Sequence, residues 1–138
     1  YLAARNEHIK NKIKPALLKK KVVICDRFTD STIAYQVYGK NVELKFIENI
    51  HKKILSGVKP NIVFVLKVSK KSSISRLKKR KTRNRYDNFK QSFYTKAQNS
   101  FLKIAKGKKN YYVLNSSNND NLLEEKIFKI ISKYLNLR

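Results

Sequence analysis

Three short apolar runs constrain the fold more than anything else in this chain. Val22-Val23-Ile24-Cys25, Ile62-Val63-Phe64-Val65-Leu66 and Tyr111-Tyr112-Val113-Leu114 are nearly continuous in apolar, β-branched and aromatic residues. A strand of that kind is apolar on both faces and needs cover on both, as in a buried parallel sheet. The stretches between the runs carry a helical period instead. Leu2, Ile9, Ile13 and Leu17 form a stripe through residues 1–19, with Pro15 set to kink or restart that helix. Leu44, Ile47, Ile50 and Ile54 mark a helix over 43–56, ended by Gly57. Residues 70–79 read as a very basic helix, and Phe89, Phe93, Ala97, Phe101 and Ile104 as a longer one closed by Gly107. Leu123, Ile127, Ile130, Ile131 and Tyr134 give a closing helix. Strands spaced by helices in this order predict an α/β fold, a parallel sheet flanked by helices.

With 138 residues the chain makes one domain at most, and 41% hydrophobic residues suffice for a core. A single cysteine, Cys25, excludes an internal disulfide and points to a reducing, cytoplasmic compartment, with the thiol read as buried and inert in its strand. No apolar run approaches the roughly 20 residues of a membrane helix, and no signal-peptide pattern opens the chain, so no membrane partner is expected. The chain starts at Tyr1 and contains no Met, which reads as a fragment or a processed product.

The charge is lopsided, with 33 Lys+Arg against 9 Asp+Glu and a formal net charge of +24. Residues 67–109 alone hold 16 Lys/Arg and one acid, Asp87. Such a surplus fits a polyanionic partner: nucleic acid, anionic lipid or phosphate. It fits equally a low-GC coding bias, since 26 Lys, 14 Asn and 13 Ile share A/T-rich codons.

Ligands of an open parallel sheet bind at the carboxyl ends of its strands. The first run leaves there through Asp26-Arg27-Phe28-Thr29-Asp30-Ser31-Thr32-Ile33-Ala34-Tyr35-Gln36. An Arg at that point offers a planar fork matched to phosphate oxygens, which a Lys lacks. The bland reading is that Asp26 and Arg27 only cap or pair locally. His8 and His51 have no Cys, Asp or Glu at metal-ligand spacing and read as surface or packing histidines. No Ser/His/acid constellation is visible.

Asp-Arg-Phe-x-x-Ser-Thr-x-Ala-Tyr-Gln at 26–36 resembles the Asp-Arg-aromatic motif of bacterial thymidylate kinases. Tyr1-Leu2-Ala3-Ala4-Arg5 is similar to their aromatic-x-Ala-x-Arg helix, and Ile13-Lys14-Pro15-Ala16-Leu17 to their I-x-P-A-L segment. The likeness continues through Lys59-Pro60-Asn61, Asn84-Arg85-Tyr86-Asp87 and Phe101-Leu102-Lys103-Ile104-Ala105, in order and over nearly the whole chain. It implies the P-loop nucleoside monophosphate kinase fold. It also implies transfer of the ATP γ-phosphoryl group to dTMP with Mg²⁺, by a homodimer whose surfaces include the first helix and the 43–56 stripe. The implied regions are a dTMP-binding region at 1–40, a lid at about 70–88 and a C-terminal strand and helix at 111–136.

The resemblance also implies roles for single residues. Tyr1 stacks on the thymine ring, and Arg5, one helical turn later on the same face, bonds a base carbonyl. Arg27 grips the dTMP phosphate, while Asp26 either orients that Arg or holds water on Mg²⁺. Thr32, Tyr35 and Gln36 line the nucleotide pocket; Ser31 serves the phosphate or caps a helix. Arg76, Lys78, Arg80 and Arg85 are lid cations over ATP, Arg76 and Arg80 acting in catalysis, since phosphoryl transfer needs cations against the transferred oxygens. Asn115 and Ser116 lie in a turn beside adenine.

Three departures qualify the likeness. Asn61 and Lys67 each replace a usual Asp, and no Gly-x-x-x-x-Gly-Lys-Ser/Thr occurs, the three glycines being Gly39, Gly57 and Gly107. The resemblance begins at the dTMP-binding helix, so the P-loop and N-terminal strands are expected upstream of Tyr1. The 138 residues alone are expected neither to fold stably nor to turn over ATP. Two rival readings remain: another P-loop nucleotide or sugar-phosphate kinase, and a basic nucleic-acid-binding module on 67–109. No recognisable nucleic-acid motif favours the latter.

Overall fold

Pro15 shapes the first helical stretch, which runs as α1 (Leu2–His8), a π-helical segment π1 (Ile9–Ile13) and α2 (Lys14–Leu18). A proline has no N–H to give to the carbonyl four residues back, and its ring crowds that carbonyl. The wider π turn just before it accommodates this without breaking the rod, because the junction residues Ile9 and Lys14 keep right-handed helical angles. The stretch ends in a Schellman turn, where Lys20 N–H donates to Leu17 O, Lys21 N–H to Ala16 O, and Lys20 takes a φ of 54°.

The structure is a computed structural model that describes residues 1–79, 91–118 and 121–137. Arg80 and Arg85 of the sequence reading, with Phe89 of the long helical stripe, lie outside the described residues. The described chain forms two compact units, one of Tyr1–Asn61 with Ser92–Ile104 and one of Ile62–Gln91 with Ala105–Arg138.

The first unit is helical. After α2 come α3 (Thr29–Thr32), a second π-helical segment π2 (Ile33–Tyr38) and α4 (Leu44–Leu55). α4 packs on α1 and on π2 through Ile47 and His51, which lie one turn apart on the stripe and are both buried. Ile9, Ile13, Ala34 and Ala97 complete the buried apolar set among the described residues of this unit. α4 stops where Ser56 adopts a left-handed conformation, with Gly57 following at a φ of 83°. The stripe read as a dimer surface is thus partly used within the unit, leaving Leu44 and Phe46 exposed.

The expectation of a buried strand at 22–25 is not met. These residues join no ladder, Val22 is 64% and Ile24 90% exposed, and Cys25 is only partly buried. A strand exists only by pairing, and no described segment pairs with this one. The apolar run records a preference for cover that the described residues do not supply.

The second unit holds the sheet. β1 (Val63–Lys67) pairs in parallel with β2 (Tyr111–Asn115), in the register Val63 with Tyr111 through Lys67 with Asn115. Phe64 and Tyr112 stand opposite each other with ring centroids 5.8 Å apart, an aromatic cross-strand pair. Parallel neighbours need a long crossover, and between them in sequence run α5 (Lys70–Lys78) and α6 (Gln91–Ala105). α7 (Leu122–Leu135) follows β2, with Glu124 and Glu125 in its first turn, where the helix dipole favours acids.

Candidate active site

The first unit gathers its chemistry on Arg5. Arg5 Nη1 donates to Thr32 Oγ1 at 2.6 Å, Nη2 donates to the Phe28 carbonyl at 2.9 Å, and Nη1 lies 3.3 Å from His51 Nε2. The guanidinium also stands over the Phe28 ring, 5.6 Å from its centroid. Three segments far apart in sequence therefore meet on one side chain, and Thr32 and His51 are themselves buried. Burial lowers the Arg5 pKa and the nearby Cys25 partly offsets this, but a guanidinium stays cationic near neutrality. Among the described residues, three of its five N–H groups are engaged.

Arg27 stands at a backbone corner. Its φ of 63° is left-handed, which costs a non-glycine residue of order 1–3 kcal/mol and is tolerated mainly where surroundings impose it. Cys25 Sγ reaches the Arg27 carbonyl at 3.6 Å across this corner. The exposed guanidinium is aligned by Tyr35: Nη1 donates to the phenolic oxygen at 3.1 Å, and Cζ lies 5.4 Å from the ring centroid. Tyr35 is braced in turn by Phe93 at 5.8 Å and Phe101 at 6.1 Å between centroids. Phe93 also needs Gly39, since a Cβ there would come within 2.6 Å of the ring edge. Burial raises the Cys25 thiol pKa, with Arg5 opposing and Asp26 adding to the shift, so near neutrality this is a thiol and not a nucleophilic thiolate.

In the second unit, polar groups gather at the carboxyl ends of the two strands. Ser116 N–H donates to the Lys67 carbonyl at 2.7 Å, and Ser116 Oγ lies 3.3 Å from the same oxygen. Asn115 Oδ1 accepts from Ser117 N–H, closing a tight Asx turn. Ser69 caps α5 by accepting from Ser72 N–H, and its own N–H donates to Ser117 Oγ at 2.9 Å. Arg76 Nη2 donates to the Ser116 carbonyl at 2.7 Å and reaches the Asn118 carbonyl at 3.5 Å. Lys71, Ser72, Ser75, Arg76, Lys79 and Ser117 line an open groove there. It is cationic and hydroxyl-rich, the chemistry that phosphate oxygens require.

The residues singled out from sequence fall into distinct settings. Arg5 with Thr32, and Arg27 with Tyr35, are brought together in the first unit. Ser31 and Gln36 are half-buried beside them in α3 and π2, Asp26 is exposed, and Tyr1 caps the start of α1 with 69% of its surface exposed. In the second unit Arg76 and Ser116 meet, Asn115 organises the turn, and Lys78 is exposed. Sequence reasoning read His51 as a surface or packing histidine and gave it no contact with Arg5. The signal available was a histidine on an otherwise apolar stripe, four residues after Ile47. Among the described residues, no group of three or more His, Cys, Asp and Glu is placed to hold a metal, and no helix is long and apolar enough to cross a membrane.

A parallel α/β chain with serine-rich, cationic strand ends, and with Arg5 and Arg27 each hydrogen-bonded to the polar segment 28–35, has the build of a P-loop-type nucleotide kinase. The thymidylate kinase family model matches residues 1–127, and the chain belongs to that family. It is 33% identical over 137 residues to the thymidylate kinase of Pelotomaculum thermopropionicum, covering 98% of this chain and 63% of the relative. To the thymidylate kinase of Wolbachia pipientis wMel it is 44% identical over 105 residues, 75% of this chain and 51% of that one. The crystal structure of thymidylate kinase from Ehrlichia chaffeensis superposes with a TM-score of 0.72 at 30% identity, covering 95% of this chain and 63% of that chain. The chain thus spans between about half and two thirds of the length of these relatives.

Proposed function

We propose that this chain supplies the nucleotide-binding part of a cytoplasmic, homodimeric dTMP kinase, which moves the γ-phosphoryl group of ATP to dTMP. The 5′-phosphate oxygen of dTMP forms the new P–O bond, the bond between the β–γ bridging oxygen and the γ-phosphorus breaks, and ADP and dTDP leave. The observation that carries the reading is the double use of residues 26–36. That segment presents Arg27 stacked on Tyr35 and also supplies, through Thr32, an acceptor that holds Arg5.

In this reading Arg5 turns its remaining N–H groups to a carbonyl of the base, while Tyr1 covers the ring. Thr32 and Gln36 complete the pocket, with Ser31 near the phosphate. Arg27 meets the 5′-phosphate, where a guanidinium can donate two parallel hydrogen bonds. Tyr35 holds that guanidinium in place, so little freedom is lost on binding. On the ATP side, Arg76 and Lys78, with Arg80 and Arg85 on sequence grounds, balance charge on the phosphates, and Asn115-Ser116 borders the adenine. Mg²⁺ is held mainly by phosphates and water with one or two carboxylates. Asp26, an exposed carboxylate next to Arg27, fits such a water-mediated role. When bound, the ion would screen phosphate charge and align the reacting oxygens.

The test is turnover by the complete product of the gene encoding these residues, assayed with ATP and each nucleoside monophosphate. Formation of dTDP from dTMP is expected. Phosphorylation of another monophosphate with none of dTMP overturns the substrate assignment.

A further inference from the structure

His51 is a buried polar side chain that the reaction chemistry above does not use. It is 6% exposed on α4, one turn after the buried Ile47, and its Nε2 lies 3.3 Å from Arg5 Nη1. A guanidinium has donors only, so this contact requires a lone pair on Nε2. The imidazole must then be neutral with its proton on Nδ1. The same Nη1 gives its other hydrogen to Thr32 Oγ1, so His51 and Thr32 hold one nitrogen from α4 and α3 while the Phe28 carbonyl holds Nη2.

We propose that His51 is the positioning residue for Arg5, its neutral imidazole fixing the plane of the guanidinium so that the remaining N–H groups face the base, and that protonation of His51 releases this hold. A protonated imidazole would set N–H against N–H and one cation against another. The proposal rests on the reading that Arg5 binds the base of dTMP.

The groups around His51 favour the neutral form at neutral pH. Burial lowers its pKa first, Arg5 from α1 lowers it further, and Asp30 from α3 opposes them. π2, the other element packed on α4, carries no charged side chain; its titratable groups are Tyr35 and Tyr38. On α4 itself the neighbouring Glu48, Lys52 and Lys53 are exposed.

The experiment measures kcat and the KM for dTMP of the complete gene product between about pH 5.5 and 7.5, for the native protein, His51→Gln and His51→Leu. Leu removes the acceptor, so KM should rise about fivefold at pH 7.5, as for one lost hydrogen bond, with a much smaller change in kcat. Gln offers an amide oxygen that does not titrate and should recover most of that loss. The phosphate of dTMP titrates in the same range for every variant. The informative quantity is therefore the extra rise in KM at low pH that native protein shows and His51→Gln lacks. Equal pH profiles for native and Gln proteins, or an unchanged KM in Leu, would overturn the proposal. Ring nitrogen NMR of the native protein gives a reading that does not depend on a variant folding: a neutral Nδ1–H tautomer is expected, and Nε2–H refutes it. Arg5→Ala separates the two layers. If it leaves KM for dTMP unchanged, the base-contact reading fails; if it raises KM while the His51 variants are silent, only this inference fails.

Discussion

The helical unit holds the half-buried Arg5 from three sides, whereas the sheet unit leaves its described cations at the surface. Arg5 is desolvated and tied to Thr32, Phe28 O and His51; Arg76, exposed, reaches two carbonyls in the turn after β2. The same guanidinium thus serves two ends. A fixed fork reads the shape of a ligand, because its donors cannot rotate to suit a wrong one. A set of surface cations supplies charge, which tolerates imprecise placement and is weakened by salt. The neutral groups differ in kind as well. An aromatic brace of Phe93 and Phe101 behind Tyr35 supports the first unit, and a run of serines frames the strand ends of the second.

Arg27 should give the largest effect, because a stacked fork on a phosphate contributes both binding and orientation. Arg27→Ala is expected to lower kcat/KM by about 10²–10³-fold, the scale for losing a donor to developing charge. Wild-type turnover in that variant would remove the phosphate role. Next comes Arg5→Lys, which keeps the charge and loses the fork. KM for dTMP should rise about tenfold or more, and thermal denaturation should show a loss of about 1–3 kcal/mol, because Thr32 and the Phe28 carbonyl lose a charged donor. If Lys serves as well as Arg, the distinction between fixed and surface cations breaks down.

Arg76→Ala should act more weakly on stability, by about 0.5–1.5 kcal/mol, since its bonds run between an exposed side chain and carbonyls. Its KM effect should fall on ATP and not on dTMP; the reverse result would exchange the roles given to the two units. A pH scan of stability sharpens the contrast further. Burial holds the folded-state pKa of His51 below its unfolded value of about 6.5, so the unfolded chain takes up that proton first on acidification. The contribution is complete above about pH 6.5 and declines below it; His51→Gln should flatten this part of the curve. The smallest effect concerns Cys25. Its raised pKa should make alkylation near neutral pH slower than for a free thiol, and an equal rate would place the thiol in a different environment.

Much of this was legible in the residues, for local reasons. The period of Leu44, Ile47, Ile50 and Ile54 marks α4 to within a residue of its ends, and the parallel pairing of β1 with β2 follows from their doubly apolar runs. The link between Tyr35 and Arg27 lies within one short segment, and the motif quoted both. Val22–Cys25 had the same apolar signature as β1 yet joins no ladder, since composition encodes a propensity for pairing but not the presence of a partner. The contact of His51 with Arg5 escaped because the two lie 46 positions apart and no periodicity connects helices packed in space.

By itself the sequence determined the α/β class, the helix stripes and the family, because these reside in local patterning and in ordered motifs that survive substitution elsewhere. Tertiary structure alone decided which donors meet which acceptors. It placed His51 and Thr32 on one nitrogen of Arg5, set Arg27 at a left-handed corner against Tyr35, and bound Arg76 to the turn after β2. Hydrogen bonds depend on distance and angle within a few tenths of an ångström, and only the packing of helices distant in the chain specifies them.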